Sequence, residues 1–236
     1  MTTDIIAAIR RELEQQADEK TKNTYKRFFK EDVVFYGVSN PKAQKIAAVF
    51  YPQIKPLGKK EIFRLCEELF KSNYNEEAVI ACEWTYRLHL LYEPGDFFIF
   101  EGWLKKYINN WAKCDTFCNH SVGALVEKYP QYLRNLKEWA KSPNRWLRRA
   151  AAVTLIIPAK QGKFLKDILE IADILLTDAD DLVQKGYGWM LKEAAVNHQD
   201  EILNYIMKNK KVMPRTALRY AIERMPKELK QKAMAR

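Results

Sequence analysis

The sequence has few of the residues that interrupt or cross-link a chain: 8 glycines, 9 prolines and 4 cysteines in 236 residues. Four cysteines in a chain of this length do not make a disulfide framework, so we expect free thiols and a reducing compartment. No apolar stretch approaches the roughly 20 residues that a membrane-spanning helix needs. Met1-Thr2-Thr3-Asp4 also lacks the basic-then-apolar order of a secretory signal. We therefore expect a cytoplasmic protein with no membrane partner.

Two kinds of site lack their usual sequence pattern. Cys114 and Cys118, with His120 nearby, are not followed by a second ligand pair at a zinc-like spacing, so we expect no bound metal. Gly186 and Gly188 lie inside a helical pattern rather than after a strand, which argues against a phosphate-cradling loop. We therefore expect neither nucleotide hydrolysis nor a cofactor.

Basic residues are in excess and are unevenly distributed. The chain has 40 Lys+Arg and 30 Asp+Glu, for a net charge of +10. Residues 101–160 hold 11 basic and 4 acidic side chains, residues 201–236 hold 10 and 3, and residues 161–200 hold 4 and 8. Basic blocks of this kind indicate a face that binds a polyanion. A basic surface that only keeps the protein soluble is the alternative.

Apolar residues recur at helical spacing along the whole chain, and no stretch shows sustained strand alternation. Hydrophobic residues make up 47% of the sequence, which is enough for a sizeable core. The pattern predicts an all-α fold of fourteen helices, at residues 4–16, 21–30, 41–51, 59–72, 76–92, 96–109, 115–129, 132–141, 145–156, 163–176, 181–198, 201–208, 215–223 and 226–235.

The predicted helices fall into pairs. Helices that start near Glu76, Asp115, Arg145 and Asp181 each open a pair of some 30 to 40 residues, close to the lower end of helical-repeat periods. Residues 145–151 and 184–192 look like equivalent first helices, in which small residues alternate with basic ones. We predict a single domain over residues 1–236, a solenoid of HEAT-like antiparallel helix pairs with a concave basic face.

Trp189 lies off the apolar side of its predicted helix. At 100° per residue it points about 200° away from Leu191 and shares its side with Lys185 and Lys192. An aromatic ring among lysines suits a polyanion that carries sugar and base rings. Packing of Trp189 against the next repeat explains the pattern equally well. The apolar side consists of Val183, Tyr187, Met190, Leu191 and Ala194.

Trp111 and Asp115 allow two interpretations. Trp111 ends an apolar series that includes Phe97 and Leu104, which favours a core position, and Asp115 can serve as the N-cap of the next helix. If the chain is helical from Trp111, the i, i+4 relation places the indole and the carboxylate side by side. A carboxylate in such a place can stabilise an oxocarbenium ion or position a water, as in glycoside hydrolysis.

Three arginines share one short helix. Arg145, Arg148 and Arg149 lie within five residues, so at least one guanidinium should face the concave side. Bidentate contact with a phosphate is the natural role of such a group. A solvated charged face is the alternative for at least one of the three.

Four segments together resemble the AlkD-type alkylpurine DNA glycosylases. They are residues 110–115 (NWAKCD), 144–151 (NRWLRRAA), 184–193 (QKGYGWMLKE) and the early turn 35–41 (FYGVSNP). The resemblance implies a monomeric HEAT-like solenoid that binds duplex DNA and excises cationic N7-alkylguanine and N3-alkyladenine, leaving an abasic site. It also implies that a base already carrying positive charge leaves without a strong general acid.

The same resemblance assigns roles to residues. Trp111 and Trp189 would flank the deoxyribose of the lesion, Asp115 would lie near the anomeric carbon, and Arg149 would hold a backbone phosphate. Arg148, Lys185, Lys192 and Phe28 complete the predicted DNA-binding set.

The sequence departs from the family pattern at two places. Asn110 replaces a tryptophan that often precedes the one matching Trp111, and an early DNA-facing tyrosine is matched by Phe28, with Tyr25 as the alternative. A non-catalytic helical-repeat scaffold that binds nucleic acid or an acidic protein is the second functional hypothesis.

Overall fold

The computed structural model describes the backbone of residues 2–235 and the side chains of residues 4–235. Within that range the chain is all-helical and forms no strand, which confirms the predicted fold class. The helices are α1 Thr2–Gln15, α2 Glu19–Lys26, α3 Asn40–Ile54, α4 Lys59–Lys71, α5 Asn75–Arg87, α6 Asp96–Tyr107, α7 Trp111–Phe117, α8 Gly123–Lys128, α9 Leu133–Trp139, α10 Arg145–Val153, α11 Ile156–Lys160, α12 Leu165–Ile174, α13 Asp181–Ala194, α14 Gln199–Asn209, α15 Arg215–Ala221 and α16 Lys227–Met234. Between residues 2 and 235 no helix is both long and apolar enough to cross a membrane.

The described residues form two compact units, which divide Met1–Phe117 from Cys118–Arg236. In the first unit α5 packs against both α3 and α7, and in the second α13 packs against both α10 and α15. Each of these rows joins helices that are separated in sequence by at least one other helix. Side-by-side packing of equivalent helices is the arrangement of helical repeats. The concave basic face and the single domain over residues 1–236 stay predictions.

The fourteen predicted helices become sixteen for local reasons. The predicted helix 115–129 starts earlier, at Trp111, and a π-helical turn at Cys118–Val122 divides it into α7 and α8. The predicted helix 145–156 ends at Val153, and the separate short helix α11 follows. The predicted helix 76–92 stops at Arg87, because a 3₁₀ turn at His89–Leu91 takes over.

An aromatic cluster fixes α7 in the first unit. The ring of Phe117, at the end of α7, lies 5.6 Å from that of Phe70, 5.2 Å from Phe100 and 5.9 Å from Trp103. These rings come from α4 and α6 and meet at the tilted or edge-on angles that aromatic pairs prefer. The cluster therefore anchors the helix that carries Trp111 and Asp115.

Two glycines let α13 lie close to both of its neighbours. A Cβ at Gly186 would lie 3.4 Å from Arg149 Cγ on α10. A Cβ at Gly188 would lie 2.7 Å from both the Ala217 carbonyl oxygen and Tyr220 Cβ on α15. The pair of glycines that the sequence placed inside a helix therefore serves helix packing.

Gly188→Ala is expected to lower the free energy of unfolding by about 1–3 kcal/mol, because the added methyl group overpacks the contact between α13 and α15. Gly102→Ala in α6 is the control, since a Cβ there meets no atom within 4 Å. That change should raise the free energy of unfolding by about 0.5–1 kcal/mol, as alanine is the better helix former. Urea denaturation measures both variants, and unchanged stability of Gly188→Ala would contradict the close approach.

Candidate functional site

Trp111 and Asp115 lie on one helix. The Asn110 side-chain oxygen accepts a hydrogen bond of 2.9 Å from the Lys113 amide, so Asn110 caps α7 and the helix begins at Trp111. Of the two interpretations of Asp115, the N-cap is wrong, because Asp115 lies inside α7, one turn after Trp111. The i, i+4 relation therefore holds and puts the indole and the carboxylate on one face of α7. Both side chains are half-buried.

The cap also explains the residue that departs from the family pattern. Asn110 is fully buried, and its amide nitrogen lies 3.5 Å from the Asn75 side-chain oxygen at the start of α5. A tryptophan at this position has no acceptor oxygen with which to cap α7. Asn110 is therefore a structural residue of the candidate site.

Phe29 stacks on Trp111, a contact that the sequence analysis missed. The two ring centroids lie 5.0 Å apart and the ring planes differ by 14°. Phe29 is itself held against Phe35, with centroids 5.4 Å apart. The stack gives the indole a fixed neighbour on one face. The pair Phe28-Phe29 was the available signal, but sequence spacing did not show which ring turns towards α7.

Phe28 and Tyr25 have different surroundings. The Tyr25 hydroxyl accepts a hydrogen bond of 3.3 Å from the Asn40 amide, and its ring lies 5.7 Å from that of Phe35. Phe28 is 67% exposed and follows the exposed cations Lys26 and Arg27. Of these two aromatic residues, Phe28 presents the more open ring, and its contact with DNA stays a prediction.

The turn before α3 is held by a buried carboxylate. Glu76 is fully buried, and its Oε1 accepts hydrogen bonds from the amides of Gly37, at 2.9 Å, and Val38, at 3.0 Å. Gly37 has φ +101°, and a Cβ there would lie 2.5 Å from the Asp18 carbonyl oxygen. Glycine is needed at this position both for its φ and for the close approach. Because Gly37 lies against Asp18, which is the N-cap of α2, the turn also fixes the position of the start of α2.

Lys113 is a buried cation on α7. Its ammonium donates to the Asn73 carbonyl at 3.0 Å, to the Asn73 side chain at 2.9 Å and to the Asn109 side chain at 3.1 Å. Burial lowers the pKa of Lys113 to about 8, because the charged form loses its hydration and all three named acceptors are neutral. These bonds fasten the start of α7 to the turn between α4 and α5.

The three arginines of α10 are bound within the second unit rather than solvated as a free face. Arg145 donates to Asp180 at 3.2 Å, and Arg148 donates to Asp178 at 2.6 Å and to the Ser142 carbonyl at 3.0 Å. Arg149 is only 5% exposed and donates to the Leu182 carbonyl. These bonds tie α10 to the start of α13.

The predicted residues of α13 have three different environments. Lys185 is half-buried, with its ammonium 3.3 Å from Asp181. Trp189 is half-buried and donates its indole N–H to Glu193 at 3.1 Å. Lys192 is buried and pairs with Glu223 at 2.9 Å, so the polar side of α13 is less open than expected. The predicted apolar side is buried throughout, at Val183, Tyr187, Met190, Leu191 and Ala194.

The positive charge belongs mainly to the second unit. Residues 118–236 carry 22 basic and 13 acidic side chains, whereas residues 1–117 carry 18 and 17. Trp111 and Asp115 belong to the first unit, in which basic and acidic side chains nearly balance. In the described part of the chain, no three His, Cys, Asp or Glu side chains are grouped as a metal site.

Lys113→Met should change how stability depends on pH. Because the folded protein binds the Lys113 proton more weakly than the unfolded chain does, ionisation of Lys113 makes stability rise between about pH 8 and pH 10.5. The variant should lose this rise, which is about 3 kcal/mol at 1.36 kcal/mol per pKa unit. Denaturation at several pH values measures the loss. Lys71→Met, which removes an exposed partner of Glu68, should keep the rise. An unchanged slope in Lys113→Met would show that the ammonium is not buried as described.

The chain is similar to known proteins in sequence and in fold. It matches the family described as "DNA alkylation repair enzyme" over residues 9–225. One similar solved structure is titled "Predicted DNA alkylation repair enzyme from Enterococcus faecalis"; it is 16% identical with a TM-score of 0.80, and the match covers 90% of this chain and 98% of that one. At this identity the likeness concerns the fold. A search of curated proteins found no match. Since the family match spans most of its length, the chain belongs to the DNA alkylation repair enzyme family.

Proposed function

We propose that the chain is a monofunctional DNA glycosylase that hydrolyses the N-glycosidic bond of cationic alkylated purines in duplex DNA. Its substrates would be N7-alkylguanine and N3-alkyladenine, and its product an abasic site. Membership of the repair family supports the DNA substrate. The observation that carries the proposed chemistry is the placement of Trp111 and Asp115 on one face of α7, with Phe29 stacked on the indole.

The proposed reaction requires little of the protein beyond a fixed anion. Alkylation at N7 or N3 gives the purine a positive charge, so the base leaves as a neutral molecule once the glycosidic bond breaks. The sugar then bears the charge as an oxocarbenium ion, which a nearby carboxylate stabilises. Asp115 would supply that carboxylate and guide the attacking water, and the aromatic ring of Trp111 would lie against the sugar. When the water adds to the anomeric carbon, its surplus proton would pass to the Asp115 carboxylate and from there to solvent.

Binding of the duplex is assigned mainly to accessible cations and rings. Lys185 and Phe28 have the more accessible side chains of the predicted DNA-binding set, and Trp189 is proposed as an aromatic contact to the deoxyribose. Arg148, Arg149 and Lys192 would reach a phosphate only by exchanging some of their present bonds. The excess positive charge of the second unit supports a sequence-independent attraction to the backbone.

Release of free base tests the proposal. Purified protein is incubated with duplex DNA that has been treated with a methylating agent, in the presence of EDTA, and the released purines are identified by chromatography. We expect N7-methylguanine and N3-methyladenine in the supernatant. The alternative, a non-catalytic scaffold, rests on the same positive charge and predicts DNA binding without any released base.

Asp115→Asn should abolish most of the base release while leaving the fold and DNA binding intact. The change keeps the shape of the side chain and deletes its charge. Losing one preorganised electrostatic interaction typically costs about 100-fold or more in rate. Because asparagine keeps the size and one acceptor oxygen of the side chain, the melting temperature should change little. Single-turnover release of N7-methylguanine gives the rate, with Asp32→Asn at an exposed site as the matched control. Undiminished release by Asp115→Asn would remove this mechanism.

Phe28→Ala should weaken DNA binding without affecting folding, since the ring is largely exposed. Loss of one ring that stacks on DNA is expected to weaken affinity about tenfold, at the lower end of measured stacking energies. Phe29→Ala is the comparison, because it removes the stack on Trp111 and should lower thermal stability as well. Fluorescence anisotropy with a labelled duplex and thermal melting separate the two effects. Equal affinity of Phe28→Ala and the parent would place this ring away from DNA.

A further inference from the structure

The indole of Trp189 is held by a buried carboxylate. Its N–H donates to Glu193 Oε1 at 3.1 Å, one helical turn further along α13. Glu193 is only 3% exposed. Its second oxygen, Oε2, accepts a hydrogen bond of 2.7 Å from Arg224, which lies beyond the end of α15. Each carboxylate oxygen therefore has a donor, one of them the indole and the other a guanidinium.

A second ion pair connects the same two parts of the chain without touching Trp189. Lys192 precedes Glu193 on α13 and pairs with Glu223 at 2.9 Å, and Glu223 precedes Arg224. The basic Lys192 thus pairs with the acidic Glu223, and the acidic Glu193 pairs with the basic Arg224. The close approach of α15 to α13 at Gly188 brings the partners within reach. The Lys192–Glu223 ion pair already connects α13 to the residues that follow α15. A connection between these two parts of the chain therefore does not by itself explain why Glu193 is buried.

Burying a carboxylate to accept one indole N–H costs desolvation free energy. Trp189 is half-exposed, and a half-exposed indole can donate its N–H to water at no cost in buried charge. The carboxylate must be withdrawn from water and compensated by Arg224. What this arrangement provides and a water molecule does not is a fixed orientation, because a charge-assisted hydrogen bond is strong and directional. The hydrogen bond therefore restricts rotation of the Trp189 ring.

We propose that Glu193 is a positioning residue: together with Arg224 it holds the Trp189 indole in a single orientation for contact with the deoxyribose. The inference rests on the proposed function, in which Trp189 touches DNA. Glu193 itself lies at the N–H edge of the ring and, at 3% exposure, would not contact the substrate. Removing its charge should therefore affect the rate of excision, through Trp189, more than the affinity for DNA.

Glu193→Gln tests the inference directly. The substitution keeps the size of the side chain and removes the charge that pairs with Arg224. In a proton–nitrogen correlation spectrum, the Trp189 indole resonance is identified as the one lost in Trp189→Phe. It should shift and broaden in Glu193→Gln, as the ring gains alternative orientations. Glu223→Gln breaks the neighbouring ion pair and is the matched control, so it should leave this resonance in place. Arg224→Gln, at a half-exposed residue, provides a second variant if Glu193→Gln does not fold.

Kinetics separate positioning from a merely structural role. At saturating protein, Glu193→Gln should lower the single-turnover rate of N7-methylguanine release about tenfold, with less than a twofold change in the Kd for DNA. The double variant with Trp189→Phe should be no slower than Trp189→Phe alone, since both changes act through one ring. An unshifted Trp189 resonance, additive effects on rate, or an equal effect of Glu223→Gln would overturn the inference. If the parent protein releases no base, the proposed function fails and the resonance alone decides the positioning role.

Discussion

A charged side chain withdrawn from water needs hydrogen-bonding partners, and this requirement arranges the buried polar residues within each of the two units. Glu76 accepts hydrogen bonds from the amides of a tight turn, and Lys113 donates to three amide or carbonyl oxygens. Glu193 accepts from an indole N–H and a guanidinium. Lys113 lies on the helix that carries Trp111 and Asp115, Glu193 lies on the helix that carries Trp189, and Glu76 holds the turn before α3. The apolar core sets which helices pack together, whereas the buried charges set where their ends lie.

The same requirement separates residues that support the structure from residues that are available to DNA. Arg148 and Lys192 have strong partners inside the second unit, and Arg149 is nearly buried. The ring of Phe28 is largely exposed, and the half-buried Lys185 pairs only with Asp181, at 3.3 Å, among the ion pairs described. A basic sequence block therefore overstates the number of cations that a phosphate can reach. The residues with accessible side chains carry more of the proposed binding.

Sequence periodicity predicted the helical class and the apolar side of α13, because these depend on spacing within one helix. It left two interpretations of Asp115 open, because Asn110 competes for the same capping role and spacing does not rank the two residues. It also missed the stack of Phe29 on Trp111 and the pairing of Lys192 with Glu223. Those contacts join residues far apart in the chain, and only the packing of whole helices brings them together. The proposed roles of Asp115, Trp111 and Trp189 come from chemistry and family resemblance.

We propose that an anion on α7 suffices for catalysis because the substrate base already carries a positive charge. Two duplexes that differ at one position, N7-methylguanine in one and neutral hypoxanthine in the other, test this claim in single-turnover base release. We expect release of N7-methylguanine well above its spontaneous rate and no enzymatic release of hypoxanthine. Comparable rates for the two bases would contradict it, because a neutral purine needs a proton donor to leave.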